Sequence, residues 1–113
     1  MSDLPLLTNL VVELRRGTQM IAVLSQLKEN QYGYSLLQRL EEKEMNIEAG
    51  TLYPLMRRLE SQGILTSEWD TSDTRPRKYY ILSDMGKEIL FELEKEWYKL
   101  AKEMDELFKE QKK

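Results

Sequence analysis

The side chains able to do chemistry in this sequence are few in kind. It holds no histidine and no cysteine, which removes the commonest metal ligand, the thiolate, and with them most general-base and nucleophilic arrangements. Adjacent carboxylates such as Glu41 and Glu42 fall in a polar run that reads as a solvated helix end, with no glycine-rich phosphate loop or nucleophile motif nearby. An enzyme is therefore the weakest reading, and no metal or other cofactor is expected. What remains is chemistry for phosphate. Arg75, Arg77 and Lys78 fall within four residues, Arg57 and Arg58 are adjacent, and the hydroxyls of Tyr34, Thr51 and Tyr53 can each bond a phosphate oxygen.

Composition pulls the other way. The chain carries 17 Lys+Arg against 20 Asp+Glu for a net charge of -3 and a pI of about 5.1, whereas a nucleic-acid-binding domain is usually basic. The deficit is spread along the chain, with 10 Lys+Arg against 11 Asp+Glu in residues 1–82 and 7 against 9 in residues 83–113. Attraction to phosphate acts over about a Debye length, roughly 8 Å at physiological salt, so a local cluster matters more than the average. A charge run is by default a solvated face. The cluster takes meaning only from the elements that hold it.

With 113 residues, 41% of them apolar, the chain is sized for one domain with one core. Leu7, Leu10, Val11 and Leu14 repeat at helical spacing up to Gly17, predicting an N-terminal helix over 4–16. Met20, Ile21, Val23, Leu24 and Leu27 continue the period to Lys28, with Asn30 as a stop. Tyr32-Gly33-Tyr34 reads as a turn, followed by a short helix carrying Leu36, Leu37 and Leu40. A third helix begins near Ala49 or Gly50, since Pro54 is tolerated only near a helix start. It buries Leu52, Leu55, Met56 and Leu59, and ends at Gly63. Two runs of strand formers, 64–69 and 78–82, flank the polar segment 70–76 and predict a β-hairpin. Ser83 or Asp84 then caps a long helix with Leu90, Leu93, Trp97, Leu100, Met104 and Leu107 at alternating steps of three and four, a heptad seam for a second helix. Lys109 to Lys113 reads as a frayed end.

The expected fold is mainly α with a small β-hairpin: a winged helix-turn-helix unit over residues 1–82 and a C-terminal dimerisation helix over 83–113. Arg15 and Arg16 break the richest apolar stretch, so no membrane span is expected, and the N-terminus with Asp3 and no basic region does not read as a signal peptide. A cytoplasmic protein follows as the expectation.

The motifs Gly50-Thr51-Leu52-Tyr53-Pro54-Leu55, Arg58-Leu59-Glu60, Gly63-Ile64-Leu65 and Arg75-Pro76-Arg77-Lys78-Tyr79-Tyr80-Ile81-Leu82-Ser83, followed by Gly86 and preceded by Tyr32-Gly33-Tyr34, together resemble the signature of PadR-like transcriptional regulators. The likeness covers about residues 18–100, and the single C-terminal helix is similar to the compact subgroup. The resemblance implies a homodimeric repressor that binds double-stranded DNA at a roughly palindromic operator and releases it on sensing a small molecule. Arg75, Arg77 and Lys78 then correspond to the wing.

Strand alternation puts Arg77 and Tyr79 on one face and Lys78 and Tyr80 on the other, and one face must pack on the helices, so Arg75 and Arg77 rank above Lys78. Thr51, near the start of the third helix, and Arg57, six residues on, are candidates for phosphate and base contact. Thr51 reads equally as an ordinary helix-start residue, Tyr34 and Tyr53 as half-buried packing, and Tyr32 as core. Arg58 can instead pair with Glu60 or Glu41. Trp97 either anchors the dimer seam or, as the resemblance to the compact PadR-like proteins implies, lines an aromatic site for a small planar hydrophobic or phenolic ligand, with Leu93, Leu100, Met104 and the partner's Leu10 or Leu14 around it. The rival to a DNA-binding regulator is a protein-interaction module on the same scaffold.

Overall fold

The computed structural model describes residues 4–111. The elements run α1 (Leu4–Arg16), α2 (Gln19–Ser25), β1 (Gln31–Tyr32), α3 (Gly33–Glu42), α4 (Ala49–Ser61), β2 (Leu65–Asp70), β3 (Arg77–Leu82) and α5 (Asp84–Gln111). One face of each central helix is apolar, and those faces converge: Val23, Leu24, Leu36, Leu52, Met56 and Leu59 are all fully buried. Leu65 and Leu82, paired across β2 and β3, close the core from the sheet side, and Leu90 of α5 is 2% exposed against it. The first turns of α5 thus share the core of the winged unit. Truncating a fully buried leucine such as Leu24 to alanine costs about 2–5 kcal/mol in such a setting.

The sheet has three strands in the order β1-β3-β2, all antiparallel. The turn expected at Tyr32 is instead strand: Gln31 pairs with Tyr80 and Tyr32 with Tyr79. Two residues carry no detectable alternation, and the bonds that define the strand come from residues far along the chain. The second helix also stops sooner than its apolar period, at Ser25. The amides of Gln26 and Leu27 turn back to the carbonyls of Val23 and Leu24 at 3.1 Å each, and the carbonyl of Leu27 accepts from the amide of Leu82 at 2.9 Å. Leu27 stays in the core without being helical.

Local signals elsewhere match the structure. Pro54 lies in the second turn of α4, and the carbonyl of Gly50 that it cannot satisfy is on an exposed residue, where water can reach it. Gly63, at φ +80°, turns the chain out of α4. Its amide bonds the carbonyl of Glu60 at 2.9 Å, and that of Ile64 bonds the carbonyl of Leu59 at 3.0 Å. Ser83 caps α5, its Oγ accepting from the amide of Gly86 at 2.9 Å. The frayed end expected from Lys109 is still helix through Gln111, with Lys109 paired to Asp105 at 3.3 Å; residues 112 and 113 lie outside the described ones.

Two elements stand apart from the core. No residue of α1 is buried, and beyond Leu93 the seam residues Trp97, Leu100, Met104 and Leu107 are 41%, 54%, 38% and 52% exposed. The radius of gyration is 17.1 Å, against about 13 Å for a compact chain of this length. Among the described residues no helix is long and apolar enough to cross a membrane.

Candidate nucleic-acid interface

Packing of α4 decides which of its side chains are free. With Leu52, Met56 and Leu59 turned to the core, Thr51, Pro54, Arg57 and Arg58 are left on the exposed face. The α4 candidates Thr51 and Arg57 thus share one open surface. Arg58 pairs with neither Glu41 nor Glu60, and among the described residues it takes part in no ion pair. A groove of about 380 Å³ runs beside Thr51 and brings Arg16 from the end of α1 together with Arg58. In sequence Arg16 only interrupts an apolar stretch; its neighbourhood to Thr51 depends on how α1 leads into α2.

The sheet sorts the wing cations. Leu65, Ser67 and Trp69 of β2 lie opposite Leu82, Tyr80 and Lys78 of β3, so these six share a face, and buried Leu65, Tyr80 and Leu82 mark it as the one that packs. Lys78 is therefore on the helix-facing side. Its ammonium donates to Glu60 Oε1 of α4 at 3.0 Å and stands 5.1 Å from the centre of the Tyr80 ring. The Lys78 pKa is raised, chiefly by that bond to Glu60. The Glu60 carboxyl is held below its ordinary range, first by the Ser67 hydroxyl and then by Lys78. Although expected among the wing's phosphate-facing cations, Lys78 already has a carboxylate partner.

Arg77 is on the opposite face, its guanidinium 5.0 Å above the Tyr32 ring. Tyr32, expected in the core, is half-buried and forms a platform. Its ring lies 4.1 Å from that of Tyr79, and the two hydroxyls are hydrogen-bonded. That bond is the main cause that pushes the Tyr79 phenol up to about 12. Asp70 anchors the wing loop by accepting from the amide and hydroxyl of Ser72, at 3.0 and 2.6 Å. These bonds hold its carboxyl below the usual range. Arg75 is exposed on the loop between the strands.

Between the wing and the start of α3 lies a cleft of about 650 Å³ that brings Tyr34 and Tyr53 together with Arg75 and Arg77. Its floor is set by Gly33, where a Cβ would come within 2.2 Å of the Tyr53 ring. A glycine lets the first turn of α3 lie directly under that tyrosine. Tyr53 is half-buried, whereas Tyr34 is 67% exposed. Trp69 also lines the cleft, 63% exposed, and strand propensity alone had given it no role. In sequence Trp69 is flanked by Glu68 and Asp70, so its exposure beside the arginines shows only in the fold.

The seam candidates are distributed differently. Leu93 packs against this chain's own core. Trp97, Leu100 and Met104 on α5 and Leu10 and Leu14 on α1 are exposed in the single chain.

A helical body with a helix-turn-helix pair, α3 and α4, and an antiparallel wing of β2 and β3 defines a winged-helix protein. The model of the Transcriptional regulator PadR-like family matches residues 20–92, and the chain belongs to that family. It is accordingly a transcriptional regulator and not an enzyme. A crystal structure of a PadR family transcriptional regulator from Eggerthella lenta is 50% identical and covers 92% of this chain and 93% of its own, with a TM-score of 0.88. The transcriptional regulator Rv3488 of Mycobacterium tuberculosis is 32% identical over 93 residues, 81% of this chain and 87% of that protein. Bacillus subtilis PadR, solved in complex with operator DNA, is 25% identical over 70% of this chain and 47% of its own, with a TM-score of 0.63.

Proposed function

We propose that the chain is a homodimeric, sequence-specific DNA-binding repressor that places α4 in the major groove and the wing along the backbone, and that releases DNA when a small planar hydrophobic or phenolic compound binds beside Trp97. The observation that carries the DNA reading is the placement of Thr51 and Arg57 on one open face, with Tyr34, Tyr53, Arg75 and Arg77 around the adjoining cleft. Hydroxyls and guanidinium groups at these places suit phosphate contacts that fix register, and Arg57 suits a base edge. The Bacillus subtilis relative, solved in complex with operator DNA, supports duplex DNA as the partner.

The dimer reading rests on the apolar surface of α1 and distal α5, which no core of a single chain covers. Two copies joined there would present two α4 helices to half-sites about one DNA turn apart, about 34–36 Å, which calls for a roughly palindromic operator. Replacing Arg75 and Arg77 together with alanine is expected to weaken binding to all duplexes and to flatten the salt slope by about 0.9 per lost phosphate contact. An unchanged slope removes the wing arginines from the interface. A folded dimer that holds no duplex at low salt favours the protein-interaction module instead. For the effector, quenching of Trp97 fluorescence in a Trp69→Phe background by planar cations or phenols is expected; no response across a broad panel leaves Trp97 as packing.

A further inference from the structure

Glu60 is the one acidic side chain of α4, and it reaches out of the helix to both strands of the wing. One carboxylate oxygen accepts from Lys78 of β3 at 3.0 Å and the other accepts from the Ser67 hydroxyl of β2. The side chains of Lys78 and Glu60 are 29% and 30% exposed. A half-exposed ion pair adds little to stability, so the consequence of this one lies in where it holds charge. Lys78 lines the cleft that Arg75 and Arg77 also line. Free of Glu60, its flexible four-carbon stem could bring a third cation to a phosphate there, because lysine acts as a mobile point charge. Bound to Glu60, it is neutralised within the protein before DNA arrives.

We propose that Glu60 is a positioning residue for DNA recognition: it withholds Lys78 from the phosphate-binding set of the wing and ties the wing to α4. Resting on the DNA-binding reading, this adds a statement about specificity. Phosphate attraction is blind to sequence, so each cation withheld lowers binding to all duplexes alike and leaves the α4 contacts a larger share of the total. The tie also joins the two DNA-contacting elements, so that groove and backbone contacts form together. The chain's acidic balance and this internal neutralisation act in the same direction.

The experiment uses the full chain and two duplexes of equal length, one selected by the wild-type protein from a random pool and one shuffled. Salt slopes are measured for wild type, Glu60→Gln, Lys78→Ala and the double variant. Lys78→Ala alone is expected to leave the slope unchanged. Glu60→Gln is expected to steepen it by about 0.9 per protomer, a change of about 3.5-fold in affinity per protomer over a fourfold range of salt. The freed charge raises binding to both duplexes alike, while loss of the tie between the wing and α4 lowers binding only to the selected one, so the variant gains more on the shuffled duplex; the double variant returns to the wild-type slope. Acetylation of lysines by acetic anhydride, mapped by mass spectrometry, gives a readout without DNA: Lys78 reacts slowly in wild type and at the rate of exposed lysines in Glu60→Gln. A slope flattened by Lys78→Ala places Lys78 on phosphate in the wild type and overturns the proposal, and so does an unchanged slope in folded Glu60→Gln. If Glu60→Gln fails to fold, the Lys78→Ala slope still decides. Wild-type protein that enriches no duplex from the random pool overturns the DNA reading itself, an outcome distinct from a slope of the wrong sign.

Discussion

Gly33→Ala tests the local design of the cleft with one methyl group. At the first position of α3 alanine is ordinarily neutral or better than glycine, since it narrows the unfolded ensemble by about 0.4–1 kcal/mol. Here the added Cβ would sit 2.2 Å from Cε1 of Tyr53 and 3.1 and 3.2 Å from Cδ1 and Cζ, so the ring must leave its place. Tyr53 projects from α4, whose neighbouring Leu52 and Met56 are fully buried, and the helix cannot retreat without opening the core. Overpacking of this kind costs about 1–3 kcal/mol, which for a domain of this size lowers the melting temperature by about 4–12 °C. The assay is thermal unfolding followed by circular dichroism, in a cycle with Tyr53 variants. In a Tyr53→Ala background the clash is gone and Gly33→Ala becomes neutral or stabilising; in Tyr53→Phe, which keeps the ring, the loss persists. Gly33→Ala melting at or above wild type, or losing as much in the Tyr53→Ala background, refutes the contact.

The Glu60 to Lys78 tie has a pH signature. The carboxyl titrates below its ordinary 4.5 and the amine above its ordinary 10.5, so the contribution is fully present between those values. It fades as pH falls through the lowered Glu60 value, and again as pH rises through the raised Lys78 value. Urea midpoints of wild type and Glu60→Gln are expected to differ by a constant amount from about pH 6 to 9 and to converge in acid; a gap unchanged in strong acid would count against the tie. At the seam, Leu100→Glu puts a charge on a residue that one chain leaves 54% exposed. It is expected to halve the sedimenting mass while helical content is retained, and an unaltered mass removes Leu100 from the interface.

Much of the fold was legible because its signals are local. The apolar spacing in α1 and α4, the glycine that ends α4, the serine that caps α5 and the loop between two strand-forming runs each depend on residues a few positions apart. The strands differ from expectation by about one residue, and α5 runs further than its polar tail implied, with Lys109 paired to acids one turn back. Strand β1 was not legible, since two residues have no periodicity and its partners in β3 lie 47 and 49 positions away. The early end of α2 was hidden for the same reason: Leu27 keeps the apolar period, while its carbonyl serves Leu82.

The candidate site divides along the same line. Residue types, the cation cluster and the missing histidine and cysteine determined by themselves that phosphate was the chemistry to look for. Alternation along β3 also determined that Arg77 and Lys78 face opposite ways. Which face meets the helices was decided only when Leu65, Tyr80 and Leu82 packed into the core, and that packing brought Lys78 to Glu60, 18 positions away. Tertiary structure likewise set Tyr53 over Gly33 and carried Arg16 to the side of Thr51. Periodicity records which side of an element is apolar; only packing records which charged neighbour stands across from it.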